Sequence, residues 1–444
     1  MRKGPFTQSG KPSKAVPGMD RNGMGFWGVV AIGVGGMVGG GIFAVLGLSV
    51  QMARGGAPVA FLVAGIVALV TSYSYTRLSV TYPSQGGTVT FLDRAFGPGL
   101  FTGTMNILLW ISYIVMLSLY SFAFGSYGAA LFPTGWQMFW KHALISGSVL
   151  GITALNLLSA KVIGEAEEWI VAVKVAILLL FVSVGVWSVD ATRLTPGRWA
   201  PAASLLAGGM IIFLAYEGFE LIANTAKDVR KPEKTLPRAY YGAVVFVIML
   251  YVMVAAVTIG NLPVSQIVNA KDYALAAAAQ PFLGRSGYLL ITIAALLSTA
   301  SAINATLYGA VRLSFIIAKD GELPALLERK VWNEPVEGLL ITAGVTLVVA
   351  NLFDLSSIST MGSSGFLLIF ASVNGANAIL AKETTSRRWI PVTGAVLCLG
   401  ALGSLLFETA KDDPSRLWVL VAMIGSAFVV EAGYRALKGR KLSL

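Results

Sequence analysis

The chain has 444 residues, of which 56% are hydrophobic and only 12% charged, and its mean hydropathy is +0.74. This balance excludes a soluble globular protein and indicates a polytopic membrane protein, whose basic loops explain the net charge of +11 without a nucleic-acid partner. A single cysteine, Cys398, and a single histidine, His142, exclude a disulfide framework and a cysteine or histidine metal cluster, so we expect neither a metal nor a cofactor.

The predicted architecture is an all-α polytopic membrane protein with twelve transmembrane helices. Apolar runs of about the ~20 residues needed to cross a bilayer alternate with turn residues and charges. These runs are predicted at residues 26–50, 57–80, 101–131, 142–160, 164–189, 202–226, 238–260, 286–318, 337–354, 357–380, 389–408 and 416–436. The polar, basic segment before the first run has no signal-peptide pattern.

Lysine and arginine residues between the predicted spans are distributed unequally over the two sides of the membrane. Most of them fall on the side that also holds the N-terminus, including Lys227, Arg230 and Lys231 after the sixth span. Because basic residues accumulate in cytoplasmic loops, both terminal tails, residues 1–25 and 437–444, are predicted to be cytoplasmic. We expect a multi-pass protein of the plasma membrane, in contact with membrane lipid.

Three connections are longer than simple turns. Residues 82–99 and 319–335 are predicted on the cytoplasmic side, the latter with a short helix over 322–330, and the amphipathic residues 262–283 on the external side. Two interpretations are open for each connection. It is either an interfacial helix that only joins two spans, or an element that gates an entrance.

The first span contains the stretch Gly33–Phe43, in which six of eleven residues are glycine. Each glycine costs a helix interior ~1 kcal/mol relative to alanine, so a break in the span is one interpretation. Broken backbone at membrane depth survives only where it is buried in protein or lines a cavity. The other interpretation is a close helix–helix contact made by small residues.

The sixth span carries two carboxylates and a glycine near its middle, at Glu217, Gly218 and Glu220. An ionisable residue at membrane depth costs ~2.5–3.5 kcal/mol on insertion scales and is a candidate functional residue. The alternative is that Glu217 and Glu220 pair with a cation or a hydroxyl and hold the bundle together. This span is the first of a second set of five, just as the glycine-rich span is the first of the first set.

Five is an odd number, so a second set of five spans is inserted upside down relative to the first. Interrupted helices at matching positions of two inverted halves indicate the central site of a secondary transporter. This correspondence favours two functional breaks over simple helix packing.

The motifs of the chain resemble those of the amino acid–polyamine–organocation (APC) superfamily, and in particular its proton-coupled amino-acid transporters. The matching segments are 36–43, the YEGFE break at 216–220 with 224–239 after it, 72–78, 260–263, 301–309 and 318–324. The resemblance implies a LeuT-like core of two inverted five-helix repeats, residues 26–189 and 202–380, with broken helices 1 and 6. It further implies two peripheral helices within residues 389–436 and alternating access about a midplane site.

A lysine lies within the fifth predicted span. Lys174 is ten residues past Gly164, or ~15 Å into the membrane at 1.5 Å per residue, too deep for its side chain to reach the interface. Its ammonium must therefore find acceptors inside the bundle or lose its proton, as a proton carrier requires. The alternative is a permanently charged lysine that cross-links helices.

For this lysine, the resemblance implies a position that sodium-coupled relatives fill with Na⁺. The ammonium of Lys174 is then expected near the carbonyls of Gly33 and Val34 and the hydroxyl of Ser298. Such a cation would repel Na⁺, so the coupling ion is expected to be H⁺.

For the substrate, the resemblance implies a carboxylate bound by amides of the first break and an ammonium bound by carbonyls of the sixth span. The predicted substrate-binding residues are Met37, Gly39, Gly40, Gly41, Leu214, Ala215, Tyr216, Glu217 and Phe219. Many relatives carry an apolar residue at the position of Glu217, so a carboxylate there favours an amine or a cationic side chain, or forms a structural pair. Two interpretations are open for Tyr216 and Phe219: they form a gate or wall of the site, or they only take part in aromatic packing. For Trp110 and Tyr113 of the third span the alternatives are that they line the cavity or that they face the membrane.

The expected function is proton-coupled uptake of an amino acid or a related amine. A transporter of amines or cationic amino acids, an obligate exchanger and a non-transporting sensor are the alternatives. Residues 362–365 (GSSG) superficially resemble a serine-protease motif, but that chemistry requires a base such as His142 beside Ser364. We therefore predict that the protein is not an enzyme.

Overall fold

The computed structural model describes residues 23–158, 163–319, 321–323 and 336–437, with the backbone alone at 158 and 163–168. The predicted tails 1–25 and 437–444 lie almost wholly outside these residues. The α-helices of the described residues, in chain order, are α1 Phe26–Met37, α2 Gly41–Ala53, α3 Ala57–Thr81, α4 Thr88–Phe96, α5 Leu100–Ala129, α6 Gln137–Leu158, α7 Ile163–Gly185, α8 Ala202–Met210, α9 Leu221–Asn224, α10 Pro232–Asn261, α11 Val264–Asn269, α12 Ala274–Lys319, α13 Val336–Leu352, α14 Leu355–Ile379, α15 Trp389–Asp412 and α16 Ser415–Leu437.

Length and hydropathy identify ten segments of the described chain as candidate membrane spans, and the pair α1 and α2 makes an eleventh. Helix α13 is apolar but shorter. Each predicted apolar run coincides with helical structure, so the all-helical membrane architecture is confirmed. The eighth run begins earlier than predicted, because α12 starts at Ala274 and continues past an interruption at Gly284, where φ is 63°.

The first span is broken, as the glycine-rich stretch predicts. Helix α1 ends at Met37, α2 begins at Gly41, and the two helices are bent by 46°. Val38, Gly39 and Gly40 connect them. The sequence places this break at the middle of the span, where glycine most weakens a helix.

The sixth span is also interrupted. Helix α8 ends at Met210, and residues Phe213–Glu220 form a 3-10 helix before the single turn of α9. A 3-10 stretch inside a span often marks a functional hinge or a strained sequence. Here its residues are fully buried.

The two broken spans lie against each other with their backbones in contact. A side chain on Gly218 would place its Cβ 2.2 Å from the carbonyl carbon of Gly36, and a Cβ on Gly41 would lie 2.9 Å from Cα of Ala215. Only glycine permits so close an approach at these positions. The third predicted span, α5, packs against α6, α12, α13, α14 and α16.

Two of the three long connections contain helices in the described residues. Helix α4 lies within 82–99, and α11, the 3-10 turn Lys271–Tyr273 and the start of α12 occupy 262–283. The external element packs closely on α2, since a Cβ on Gly47 would lie 2.3 Å from the carbonyl oxygen of Lys271. Of the predicted helix at 322–330, residues 324–330 lie outside the described residues.

Candidate functional site

A cavity of about 510 Å³ lies beside the two breaks, between α1, the 3-10 stretch, α5 and α12. Its wall is largely apolar, with glycine backbone at Gly35 and Gly36. The polar side chains of the wall are those of Gln85, Thr88, Tyr113, Tyr120, Glu217, Asn224, Thr225, Thr306, Tyr308 and Arg312. A concave, mostly apolar pocket with a few convergent polar groups is the usual form of a small-molecule site.

Lys174, on α7, is buried and reaches the carbonyl end of α1. Its Nζ donates a hydrogen bond of 3.0 Å to the carbonyl oxygen of Gly35. The carbonyls of Gly33 and Val34 are the predicted neighbours of this ammonium, and Gly35 is the next residue along α1. At the same helix end the carbonyl oxygen of Val34 accepts the N–H of Val38 at 2.7 Å.

Three further carbonyls of the first break accept hydroxyl groups. Ser298 on α12 donates to the carbonyl oxygens of Val38 at 3.2 Å and Gly39 at 2.6 Å. Tyr251 on α10 donates to the carbonyl oxygen of Met37 at 2.6 Å. Lys174 and Tyr251 therefore bind two of the last four carbonyl groups of α1, and Ser298 binds two carbonyl groups just after it.

Three N–H groups at the same break lack partners within the described residues. Among the described residues, no hydrogen bond is donated by the backbone N–H of Gly39, Gly40 or Gly41, and the first bond of α2 runs from Ala44 to Gly40 at 3.0 Å. Amides at a helix N-terminus carry partial positive charge and suit a carboxylate. Met37, also predicted as an amide donor, ends α1, so its N–H belongs to the helix.

Tyr120 covers these amides on the cavity side. A Cβ on Gly40 would lie 2.4 Å from a ring carbon of Tyr120, and a Cβ on Gly39 would lie 3.5 Å from its hydroxyl oxygen. The cavity wall therefore includes Tyr120 but not Gly39, Gly40 or Gly41. The sequence reasoning missed this residue, although Tyr113 and Tyr120 are two helical turns apart on one face of α5.

The carboxylate of Glu220 is bound by three hydroxyl groups. Tyr113 donates to Oε1 at 2.5 Å, while Tyr75 at 3.1 Å and Thr88 at 3.3 Å donate to Oε2. Since these residues come from α5, α3 and α4, Glu220 joins three elements around the sixth span. This arrangement is the structural pairing that the sequence left open for it.

Glu217 lies in a different environment, although it is only three residues away. Its side chain is 3% exposed and lines the cavity. Its Oε2 is buried and has no hydrogen-bond partner within the described chain. Buried polar groups without partners are rare in native structures and require an explanation.

Tyr216 and Phe219 point away from the cavity. Tyr216 donates to the carbonyl oxygen of Phe61 at 3.0 Å, and Phe219 packs edge-on against Tyr75 with ring centroids 5.3 Å apart. A 3-10 helix has three residues per turn, so positions 216 and 219 share one face and positions 217 and 220 share another. Of the two roles considered for Tyr216 and Phe219, the contacts are those of packing.

The break in the sixth span is held by Ser363 of α14. Its hydroxyl donates to the carbonyl oxygen of Ile211 at 3.0 Å and accepts from the N–H of Leu214 at 3.3 Å. The carbonyl oxygen of Ala215 lies 3.4 Å from the hydroxyl of Tyr251. Leu214 and Ala215 are buried beside the first break rather than in the cavity wall.

The other residues singled out from the sequence lie in different places in the structure. Trp110 donates its indole N–H to the hydroxyl of Thr342 at 3.2 Å, towards α13, so only Tyr113 of that pair lines the cavity. His142 is hydrogen-bonded to Asn351 at 2.9 Å, whereas Ser364 is fully buried on α14. No serine and base of the protease type are joined in the described residues.

Comparison with known proteins identifies the family of the chain. The family model described as "Amino acid permease" matches residues 28–410. The chain belongs to the amino acid permease family. It is therefore a membrane transporter with a small-molecule substrate, not an enzyme.

Relatives of similar length support this assignment. An uncharacterized protein of Methanocaldococcus jannaschii is 35% identical, over 95% of this chain and 97% of that protein. An inner membrane transport protein of Escherichia coli is 31% identical, over 91% of this chain and 95% of that protein. The crystal structure of a manganese transporter mutant of Eremococcus coleocola matches with a TM-score of 0.61 at 12% identity, covering 93% of this chain and 95% of that one, and shares the fold alone.

Proposed function

We propose that this permease is a secondary active transporter that takes up amino acids by alternating access and is coupled to protons. The proposal includes twelve spans arranged as two inverted repeats, residues 26–189 and 202–380, with peripheral helices within 389–436. It includes a plasma-membrane location with both termini cytoplasmic. The corresponding breaks at the first and sixth spans support the inverted arrangement.

The observation that carries proton coupling is the bond from Lys174 to the carbonyl oxygen of Gly35. The carbonyl end of a helix has partial negative charge and favours a cation. In sodium-coupled relatives Na⁺ occupies a place of this kind, and the ammonium fills it here. Motion of α1 relative to α7 would remove this acceptor, so the proton of Lys174 would respond to the conformation.

The substrate carboxylate is proposed to bind the N–H groups of Gly39, Gly40 and Gly41. In the present conformation Tyr120 separates these amides from the cavity. Binding therefore requires Tyr120 to rotate or α5 to shift relative to the first break. Either motion would open the amides to a carboxylate that enters along the cavity.

We infer that the conformation is inward-facing. The cavity extends towards Gln85, Asn224 and Arg312, which lie on the proposed cytoplasmic side. On the opposite side the external connection is closed over α2, and a salt bridge of 2.9 Å joins Asp272 to Lys141 of α6. Substrate would reach the site from outside only after this connection moves away.

The test is uptake of a panel of labelled amino acids by liposomes that contain the purified protein, with an inward proton gradient and no Na⁺. Accumulation should require the gradient and disappear when a protonophore is added. Uptake that needs Na⁺ and ignores pH would contradict the proposal. Accumulation only with substrate already inside would indicate an exchanger, and binding without accumulation a sensor.

A further inference from the structure

The carboxyl group of Glu217 has no assigned partner in the proposed mechanism. It is 3% exposed, it lines the cavity, and its Oε2 has no hydrogen-bond partner within the described residues. Its neighbour Glu220, by contrast, accepts three hydroxyl groups. The two carboxylates share one face of the 3-10 stretch, yet within the described residues only Glu220 has hydrogen-bond donors for both of its oxygens.

No basic side chain is paired with Glu217 in the part of the chain that the structure describes. Tyr113 and Tyr120 line the same cavity, but the hydroxyl of Tyr113 is directed to Glu220. Arg312 lines the same cavity without a salt bridge to Glu217. A buried carboxylate without a partner is costly, so a cationic ligand in the cavity would stabilise it.

We propose that Glu217 binds the positively charged side-chain nitrogen of the substrate, which makes the substrate class amino acids with a basic side chain. This inference rests on the proposed function, in which uncharged amides bind the substrate carboxylate. The α-ammonium of the substrate is expected at the carbonyls of the sixth span, so an amino acid with an uncharged side chain would leave Glu217 without a counter-ion. A basic amino acid brings one further positive charge.

The placement of the two binding groups supports one small substrate that contacts both. Ala215 touches Gly41, and Gly218 touches Gly36, so the residues on either side of Glu217 lie against the first break. Tyr120 lies between the amides and the cavity, and its ring can cover the aliphatic part of a side chain. The carboxylate end then meets the glycine amides while the basic end meets Glu217.

The experiment compares lysine with norleucine, which has the same chain length but no side-chain nitrogen. Uptake of labelled lysine into liposomes under a proton gradient is measured, with either compound as competitor. In the unmodified protein, lysine should compete at concentrations at least about tenfold lower than norleucine, because only lysine can make a charged hydrogen bond to Glu217. Equal competition by the two compounds would overturn the inference.

A matched pair of variants assigns the effect to Glu217. Glu217→Gln keeps the shape of the side chain and should reduce the preference for lysine over norleucine to near unity. Glu408→Gln changes a buried carboxylate on α15 that bonds Ser204 at 2.9 Å, outside the cavity, and should retain the preference. A preserved lysine preference in Glu217→Gln would overturn the inference.

Failure of the inference is distinguishable from failure of the proposed function. If labelled norleucine accumulates under the proton gradient and lysine does not, the transport proposal holds and the role of Glu217 is wrong. If other amino acids of the panel accumulate and lysine does not, the role of Glu217 is likewise wrong, whereas the proposed function fails if no amino acid of the panel accumulates. The competition measured on the unmodified protein decides the question even if Glu217→Gln does not fold.

Discussion

The two broken spans differ in which of their groups have no partner. In the first, four carbonyls accept side-chain donors, one of them Lys174, while the N–H groups of Gly39–Gly41 lack acceptors among the described residues. In the sixth, Ser363 bonds the backbone, while a carboxyl oxygen of Glu217 lacks a donor. One break therefore offers hydrogen-bond donors and the other offers an acceptor, a combination that fits a substrate with a carboxylate and a cationic nitrogen.

The hydroxyl of Tyr251 links the two breaks. It lies 2.6 Å from the carbonyl oxygen of Met37 and 3.4 Å from that of Ala215. Together with the backbone contact of Gly36 and Gly218, it makes the two breaks a single unit. A change at one break is then expected to affect the groups of the other.

The substitution with the largest expected effect is Gly218→Ala. Its Cβ would lie 2.2 Å from the carbonyl carbon of Gly36 and 2.4 Å from the nitrogen of Met37, so the two breaks must separate. Overpacking costs about 1–3 kcal/mol, occasionally more. Because the clash here is with backbone, uptake should fall to background. The yield of folded Gly218→Ala protein and its uptake activity in liposomes test this prediction.

Gly344→Ala in α13 is the matched control, because a Cβ there meets nothing within 4 Å. Alanine also improves helix propensity by ~1 kcal/mol, so its stability and uptake should be retained. Normal uptake by Gly218→Ala would show that the two breaks need not be in contact.

A smaller effect is expected for Ser363→Ala. It removes the hydroxyl that bonds Ile211 and Leu214, leaving two buried backbone groups without a partner at a cost of about 1–3 kcal/mol. Ser364→Ala removes a neighbouring buried hydroxyl that has no hydrogen-bond partner in the described residues, and should be neutral. Thermal unfolding in detergent compares them, and equal melting temperatures would contradict the role of Ser363.

The break in the first span and the depth of Lys174 are predictable from the sequence. The glycine content of Gly33–Phe43 predicts a break, and the 1.5 Å rise per residue places Lys174 at membrane depth. Both predictions depend on local composition or on distance along one helix. The functional assignment of the glycine amides and of Lys174 stays a prediction.

The partners of the breaks could not be predicted in the same way. Tyr251 and Ser363 stand in apolar spans without a distinguishing pattern, and their roles depend on how α10 and α14 pack. The directions of Tyr216 and Phe219 depend on a 3-10 helix, whose register differs from that of an α-helix. A single turn of different pitch decides which side chains reach the cavity.

The most direct test of the central claim is proton-driven amino-acid accumulation by Lys174→Ala in liposomes. We predict that this variant folds and shows a substrate-dependent thermal shift, but no longer accumulates substrate in response to a proton gradient. Lys411→Ala, at the exposed end of α15, should accumulate substrate like the unmodified protein. Unchanged proton-driven accumulation by Lys174→Ala would contradict the account.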